Sequence, residues 1–306
     1  LPTIVKPMPG ITELILVASK NVPSWSEFRG KLRLSIKRRE ILTMIKLMAT
    51  DMDGSFLRDD MTYDEAQFAL LYQQLQLRGV RFVIASGNQY FQLKSFFKDY
   101  PEMIYLAENG AYIRDADHVY ALNAFQPDAI QTILNKIQTI PDLKLLVCGA
   151  KSAYTLTTTN PEHVAQMRHY YHHLAVVESY DQLDDDIMKF AITCPPERTT
   201  AIVTQLRELL TGIAEPTSSG HGDIDIIQPG MNKAAGLAQL GQVLGIDLAD
   251  MAAFGDGGND LEMLREVGCG VAMANAQPAV TAVANATTGT NQEQGVLQWI
   301  KNWLEA

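Results

Sequence analysis

Apolar residues in this chain gather into short runs that stop abruptly at glycine and acid, and stretches with helical spacing follow them. Ile45 to Ala49 is the first such run, and it ends in Asp51-Met52-Asp53-Gly54-Ser55. Phe68, Leu71, Tyr72 and Leu75 then recur on one helix face ahead of Gly79, a natural stop. Thr62 and Glu65 have capping-box spacing, which predicts that this helix starts at Thr62. Val80 to Ala85 reads as a second buried strand, running straight into Ser86-Gly87-Asn88. Strand, helix and strand in that order predict a right-handed βαβ unit in a parallel sheet.

The same texture returns near the C-terminus. Helices are predicted from Lys233 to Leu244, Asp260 to Val267 and Pro278 to Ala284, and strands from Met251 to Gly255 and Gly270 to Ala274. Between them the pattern changes to alternating Thr, Tyr and Val segments, such as Ala153 to Thr159 and Met188 to Thr193. Amphipathic helices are expected near Asp128 to Gln138, Pro161 to Leu174 and Glu197 to Leu210. The expected fold class is therefore α/β, a Rossmann-like parallel sheet core with an inserted α+β cap domain. Residues 44–126 and 223–306 are assigned to the core and 127–222 to the cap. Residues 1–43, with four prolines and a basic cluster at Lys37-Arg38-Arg39, are expected to be a leader, disordered or non-native.

Composition narrows the chemistry. At 306 residues the chain is long enough for two domains, and its formal charge of -10 argues against a nucleic-acid groove, which needs clustered Lys and Arg. An anionic substrate would be repelled in bulk, so any phosphate site needs local positive charge. Cys148, Cys194 and Cys269 are odd in number and lack a CxxC pair, which fits a reducing cytoplasm and points to neither a disulfide framework nor a zinc site. No apolar run approaches the roughly 20 residues that cross a bilayer, so no membrane partner is expected. Oligomeric state is not legible.

Two carboxylates two residues apart at a strand end repel each other unless a cation joins them or one keeps its proton. Open α/β sheets bind ligands outside the carboxyl ends of their strands, where Asp51 and Asp53 are expected to lie. Phe254-Gly255-Asp256-Gly257-Gly258-Asn259-Asp260 is a second strand end of this kind, with Asp256 placed to face Asp51 and Asp260 placed to cap the next helix. Such oxygen donors suit Mg²⁺. Lys233 opens a helix, where a cation opposes the dipole, so a nearby anion is its better explanation. Asp184-Asp185-Asp186 reads as a solvated surface run, and His221, between two glycines, as a hinge-loop residue.

The ordered motifs DMDGS, ASGN, a lone helix-start lysine and GDGGND, with a large insertion between the second and third, resemble the haloacid dehalogenase superfamily of phosphatases. Glu108-Asn109-Gly110-Ala111 adds a likeness to its Cof-type hydrolases, similar to bacterial sugar phosphatases. The resemblance runs from about Met44 to the C-terminus. It implies that Asp51 is a nucleophile forming an aspartyl-phosphate and that Asp53 is the general acid and then base. It further implies that Ser86, Gly87, Asn88, Lys233 and Asn259 surround the phosphoryl group. Asp51, Asp256 and the backbone carbonyl of Asp53 would hold Mg²⁺, with Asp260 in support. Asn88 stands where many relatives have Arg, and Ser55 and Ser86 where Thr is frequent. The expected function is a Mg²⁺-dependent phosphatase of sugar phosphates or similar small phosphorylated metabolites. A phosphomutase using the same aspartyl-phosphate and a non-catalytic phosphometabolite sensor are the alternatives.

Overall fold

The computed structural model describes residues 45–306 apart from Gln182 and His221. The expected leader and the hinge assigned to His221 lie outside the described residues. Before the insertion the strands are β1 (Leu47–Thr50), β2 (Arg81–Ala85), β3 (Ile104–Ala107), β4 (Tyr112–Arg114) and β5 (Val119–Leu122). The insertion contributes β6 (Lys144–Gly149), β7 (Ala153–Leu156), β8 (Leu174–Val177), β9 (Ile187–Thr193), β10 (Glu215–Gly220) and β11 (Asp223–Ile227). After it come β12 (Met251–Gly255), β13 (Cys269–Ala272) and β14 (Ala286–Thr287). The helices are α1 (Glu65–Leu77), α2 (Tyr90–Phe96), α3 (Pro127–Ile137), α4 (Pro161–Met167), α5 (Thr199–Leu209), α6 (Lys233–Leu244), α7 (Leu261–Glu266), α8 (Pro278–Val283) and α9 (Gly295–Glu305). Among the described residues, no helix is long and apolar enough to cross a membrane.

One sheet has the order β14-β13-β12-β1-β2-β3-β4-β5. It is parallel from β14 to β3, and β4 and β5 add an antiparallel edge. Its strands are apolar on both faces because helices cover both. Leu47, Ala49, Val83 and Ala85 pack with Leu237 and Leu240 of α6 on one face. On the other, Phe82 meets Phe68 of α1 at 5.4 Å between ring centroids, and Phe254 meets Trp299 of α9 at 5.2 Å. β1 pairs with β2 on one side and β12 on the other, so the chain order reverses there, and this is where open α/β sheets carry their crevice.

The second sheet has the order β10-β11-β9-β6-β7-β8 and is antiparallel except between β7 and β8. Helices α3 and α5 cover one face, where Ile133, Ile137, Ile202 and Leu206 pack on Phe190, Ile192, Ile224 and Ile226. Strand residues alternate between faces, so Lys189, beside Phe190, faces away from those helices.

Several boundaries differ from the sequence reading for identifiable reasons. β11 pairs with β9 and β10, so the inserted sheet continues past Gly222 to Ile227, and 223 is not where the core returns. The Thr62 capping box does not form. The Thr62 hydroxyl donates to Asp60, and Asp64 caps α1 by accepting from the Gln67 amide. The helix predicted from Pro161 to Leu174 stops at Met167, because Leu174 is taken into β8 beside β7. In the acidic run, Asp185 accepts from the Lys151 and Ser152 amides and the Tyr154 hydroxyl, which makes it the clamp of that loop.

Candidate active site

Register places the chemistry. Thr50 pairs with both Phe254 and Ile84, so the residues just beyond them, Asp51, Asp256 and Ser86, emerge together at the carboxyl edge of three adjacent strands. After β1 the chain turns tightly, with the Phe56 amide donating to the Asp51 carbonyl at 3.2 Å. Gly54 sits at φ +77° in this turn, and a Cβ there would lie 2.5 Å from Asp256 Oδ2. Glycine is required for both reasons, the backbone conformation and the room left for a carboxylate.

Lys233 opens α6 and is fully buried, and its Nζ lies 2.6 Å from Asp51 Oδ1 and 2.6 Å from Asp260 Oδ1. Burial disfavours its charge, but Asp260 and Asp51 more than offset that and raise the ammonium above its usual value. Burial pushes the Asp51 carboxyl well above the ordinary range, against the opposing pull of Lys233. Asp256 is pushed up to about 6, again by burial, although the Ser55 hydroxyl donates to its Oδ1 at 2.7 Å. Asp53 stays exposed at the crevice mouth. The protein around it still raises its carboxyl by desolvation, against a 2.7 Å hydrogen bond from Asn88 Nδ2.

Carboxylate oxygens of Asp51, Asp256 and Asp260 lie within 4.8 Å of one another, close enough to share a cation. Asp260 has little left to offer one. Its Oδ2 accepts from the Asp256 and Gly257 amides, both at 2.9 Å, while Oδ1 holds Lys233. Its carboxylate fixes the turn that carries Asp256. The donor set left for a metal is hard oxygen, with room made by Gly54, and it fits a small divalent cation of the Mg²⁺ type.

Ser86 is buried, and its hydroxyl accepts from the Asn88 amide at 3.1 Å. Gly87 and Asn88 lie beside it at the crevice. Asn259 lies in the turn after β12. Its Nδ2 donates to Asn109 Oδ1 at 3.3 Å, which ties the turn after β12 to the turn after β3. Sequence reading named Glu108-Asn109-Gly110-Ala111 for its resemblance alone and assigned no residue to holding these turns. Asn109 and Glu108, both at positive φ, shape the turn after β3, and Asn275 donates to the Gly54 carbonyl at 2.8 Å. The Asn109-Gly110 pair is a turn signal in its own right; Asn275 carries no signal in its own segment.

A proton on Asp256 would compete with a metal held there. Because this group is raised to about 6 without a metal, thermal stabilisation by added MgCl₂ is expected to weaken as pH falls through that value. Melting curves with and without MgCl₂ from pH 5 to 8 check this, and a shift that does not change with pH rejects it.

The haloacid dehalogenase-like hydrolase family matches residues 48–300. The 5-amino-6-(5-phospho-D-ribitylamino)uracil phosphatase YbjI of Escherichia coli is 40% identical over 262 residues, covering 85% of this chain and 97% of that protein. An HMP-PP phosphatase of Yersinia pseudotuberculosis is 27% identical over 270 residues, with 86% and 97% covered. Among solved structures, SMU.1108c of Streptococcus mutans matches at a TM-score of 0.81 and 34% identity, over 86% of this chain and 100% of that one.

Proposed function

The chain belongs to the haloacid dehalogenase-like hydrolases, as a phosphatase of small phosphorylated metabolites, and from that premise we propose a Mg²⁺-dependent reaction through a phosphorylated Asp51. The observation that carries the reading is Asp51 itself, a buried carboxylate held 2.6 Å from a buried lysine at the mouth of a crevice. One Asp51 oxygen attacks phosphorus and the bond from phosphorus to the leaving oxygen breaks. Asp53, whose raised affinity for a proton suits a general acid, protonates that oxygen and releases an alcohol. Asp53 then takes a proton from a water that attacks the phosphoaspartate, freeing phosphate and restoring Asp51. Lys233 holds Asp51 in place and offsets negative charge as the phosphate enters. The Ser86 hydroxyl and the Gly87 amide are the donors assigned to the phosphoryl oxygens, with the Asn88 amide donating to Ser86 and so orienting its hydroxyl. Bound by Asp51, Asp256 and the Asp53 carbonyl, Mg²⁺ would supply the remaining charge neutralisation.

The substrate class proposed is the phosphate ester of an alcohol on a sugar or polyol chain. The compound named for the Escherichia coli relative, a ribityl phosphate carrying an aminouracil, is the first to test. A phosphate-release screen over sugar, polyol and nucleoside monophosphates is expected to give turnover that EDTA abolishes and Mg²⁺ restores. Turnover indifferent to EDTA would remove the metal from the reading. Isomerised sugar phosphate with little free phosphate would replace hydrolysis by mutase chemistry.

A further inference from the structure

The described residues hold a second buried lysine that the reaction above does not use. Lys189, in the middle of β9, is 1% exposed and lies on the face of its sheet opposite α3 and α5. Its Nζ donates to the Gly87 carbonyl at 2.6 Å, lies 2.9 Å from Glu108 Oε2 and is 3.2 Å from Asp225 Oδ1. Gly87 and Glu108 belong to turns of the eight-stranded sheet, whereas Asp225 is on β11 beside Lys189. The ammonium donates to the Gly87 carbonyl and to Asp225, and it holds Glu108 as an ion pair.

Two features make this more than a tie between sheets. Gly87 is the middle residue of the turn assigned to the phosphoryl group, and its neighbour Asn88 holds Asp53. A carbonyl fixed by Lys189 fixes the peptide plane between Gly87 and Asn88, and so the direction of the Asn88 amide, which donates to the Ser86 hydroxyl at 3.1 Å. The opposing turn is under tension, because Glu108 and Asn109 sit consecutively at φ +51° and +56°. Such conformations persist only where surroundings over-determine them, and here Lys189 engages Glu108 while Asp225 accepts from Asn109 Nδ2 at 2.7 Å. Gly87 also makes the approach possible. A Cβ on it would lie 3.2 Å from Asp225 Oδ2 and 3.1 Å from Asn109 Oδ1.

We propose that Lys189 is a positioning residue of the inserted domain, which sets the phosphoryl-binding turn through the Gly87 carbonyl so that docking of the insert and assembly of the site are one event. The proposal rests on the phosphatase reading above. With the insert displaced, Lys189 leaves Gly87 and Glu108 together, so the turn after β2 loses its donor and the turn after β3 its clamp in a single step.

The test uses p-nitrophenyl phosphate with Mg²⁺ and three variants. Glu108→Gln keeps the bond to Gly87 and is expected to retain kcat within about threefold. Lys189→Met leaves Glu108 buried without its cation, so a lower melting temperature is expected as well as a lower kcat. The variant Lys189→Met/Glu108→Gln removes both charges; its melting temperature is expected to recover, while kcat stays lower by on the order of 10²-fold with KM little changed. Recovery of kcat along with stability would show a merely structural tie and overturn the proposal, as would a rise in KM alone. Failure of the double variant to fold would make Lys189 a requirement of the fold and overturn it too. If the wild-type protein itself released no p-nitrophenol, the phosphatase reading would fall, a result distinguishable from all of these.

Discussion

Asp51→Asn is expected to lower kcat by on the order of 10⁴-fold or more while the protein stays folded. An amide oxygen is a far poorer nucleophile than a carboxylate, and the other two carboxylates of the cluster are already engaged. Asp256 is turned toward Ser55, and both Asp260 oxygens are engaged by Lys233 and by backbone amides. Stability is expected to move the other way. Lys233 now serves two buried carboxylates, and removing one leaves a one-to-one pair with Asp260 and relieves desolvated negative charge. The melting temperature in EDTA should therefore be unchanged or higher. A variant that is both inactive and unstable would leave the nucleophile undecided. One with metal-dependent turnover near wild type would end the assignment.

The parts of this site that were legible in sequence are those made by one strand and the turn after it. Asp51 and Asp256 each end an apolar run, and parallel pairing of β1 with β12 brings such ends to one edge without further information. Lys233 was legible as the first residue of α6 because Asn232, which accepts from the Ala235 amide, marks the helix start. Illegible parts depend on segments far apart in the chain. Lys189 meets Gly87 across 102 positions, and nothing near either residue encodes the meeting. A lysine inside Met188-Lys189-Phe190 was nonetheless a signal, since an apolar strand buries a charge only against a partner. The misplaced edge of the insert has a similar origin. Asp223 to Ile227 reads equally well as a strand of either sheet, and only its pairing with β9 decides which. At Thr62 two local options competed. Asp60 captured the hydroxyl that a capping box requires, and Asp64 took over the cap.

In the proposed reaction the two buried lysines bear on the difficulty posed by a chain of formal charge -10 that must admit a phosphate. Neither is an exposed attractor. Each is enclosed by carboxylates, so positive charge is present at the site in a fixed position, and the surrounding acids keep it ionised. Electrostatic help that is already oriented needs no reorganisation when the transferring group arrives. The same arrangement makes the lysines structural liabilities, because removing one strands the acids around it.

Lys233→Met is accordingly expected to cost about 3–5 kcal/mol of stability and to abolish measurable turnover. The cost arises from what remains. Asp51 and Asp260 both approach the vacated position, and neither retains a cation there in metal-free protein. The loss should depend on pH in a definite direction. Burial already raises Asp51, and Lys233 is the main influence holding it down, so without the ammonium its carboxyl rises further. The folded variant then holds a proton that the unfolded chain releases, and its stability increases as pH falls toward the raised value. The deficit relative to wild type, measured by urea unfolding in EDTA, should therefore be largest near pH 7.5 and shrink toward pH 5. Adding Asp51→Asn to Lys233→Met should recover part of the stability, with no recovery of activity, because it removes one of the two stranded charges. A deficit independent of pH, or a double variant no more stable than Lys233→Met alone, would show that the lysine acts through packing of its stem and that the charge balance drawn for this site is wrong.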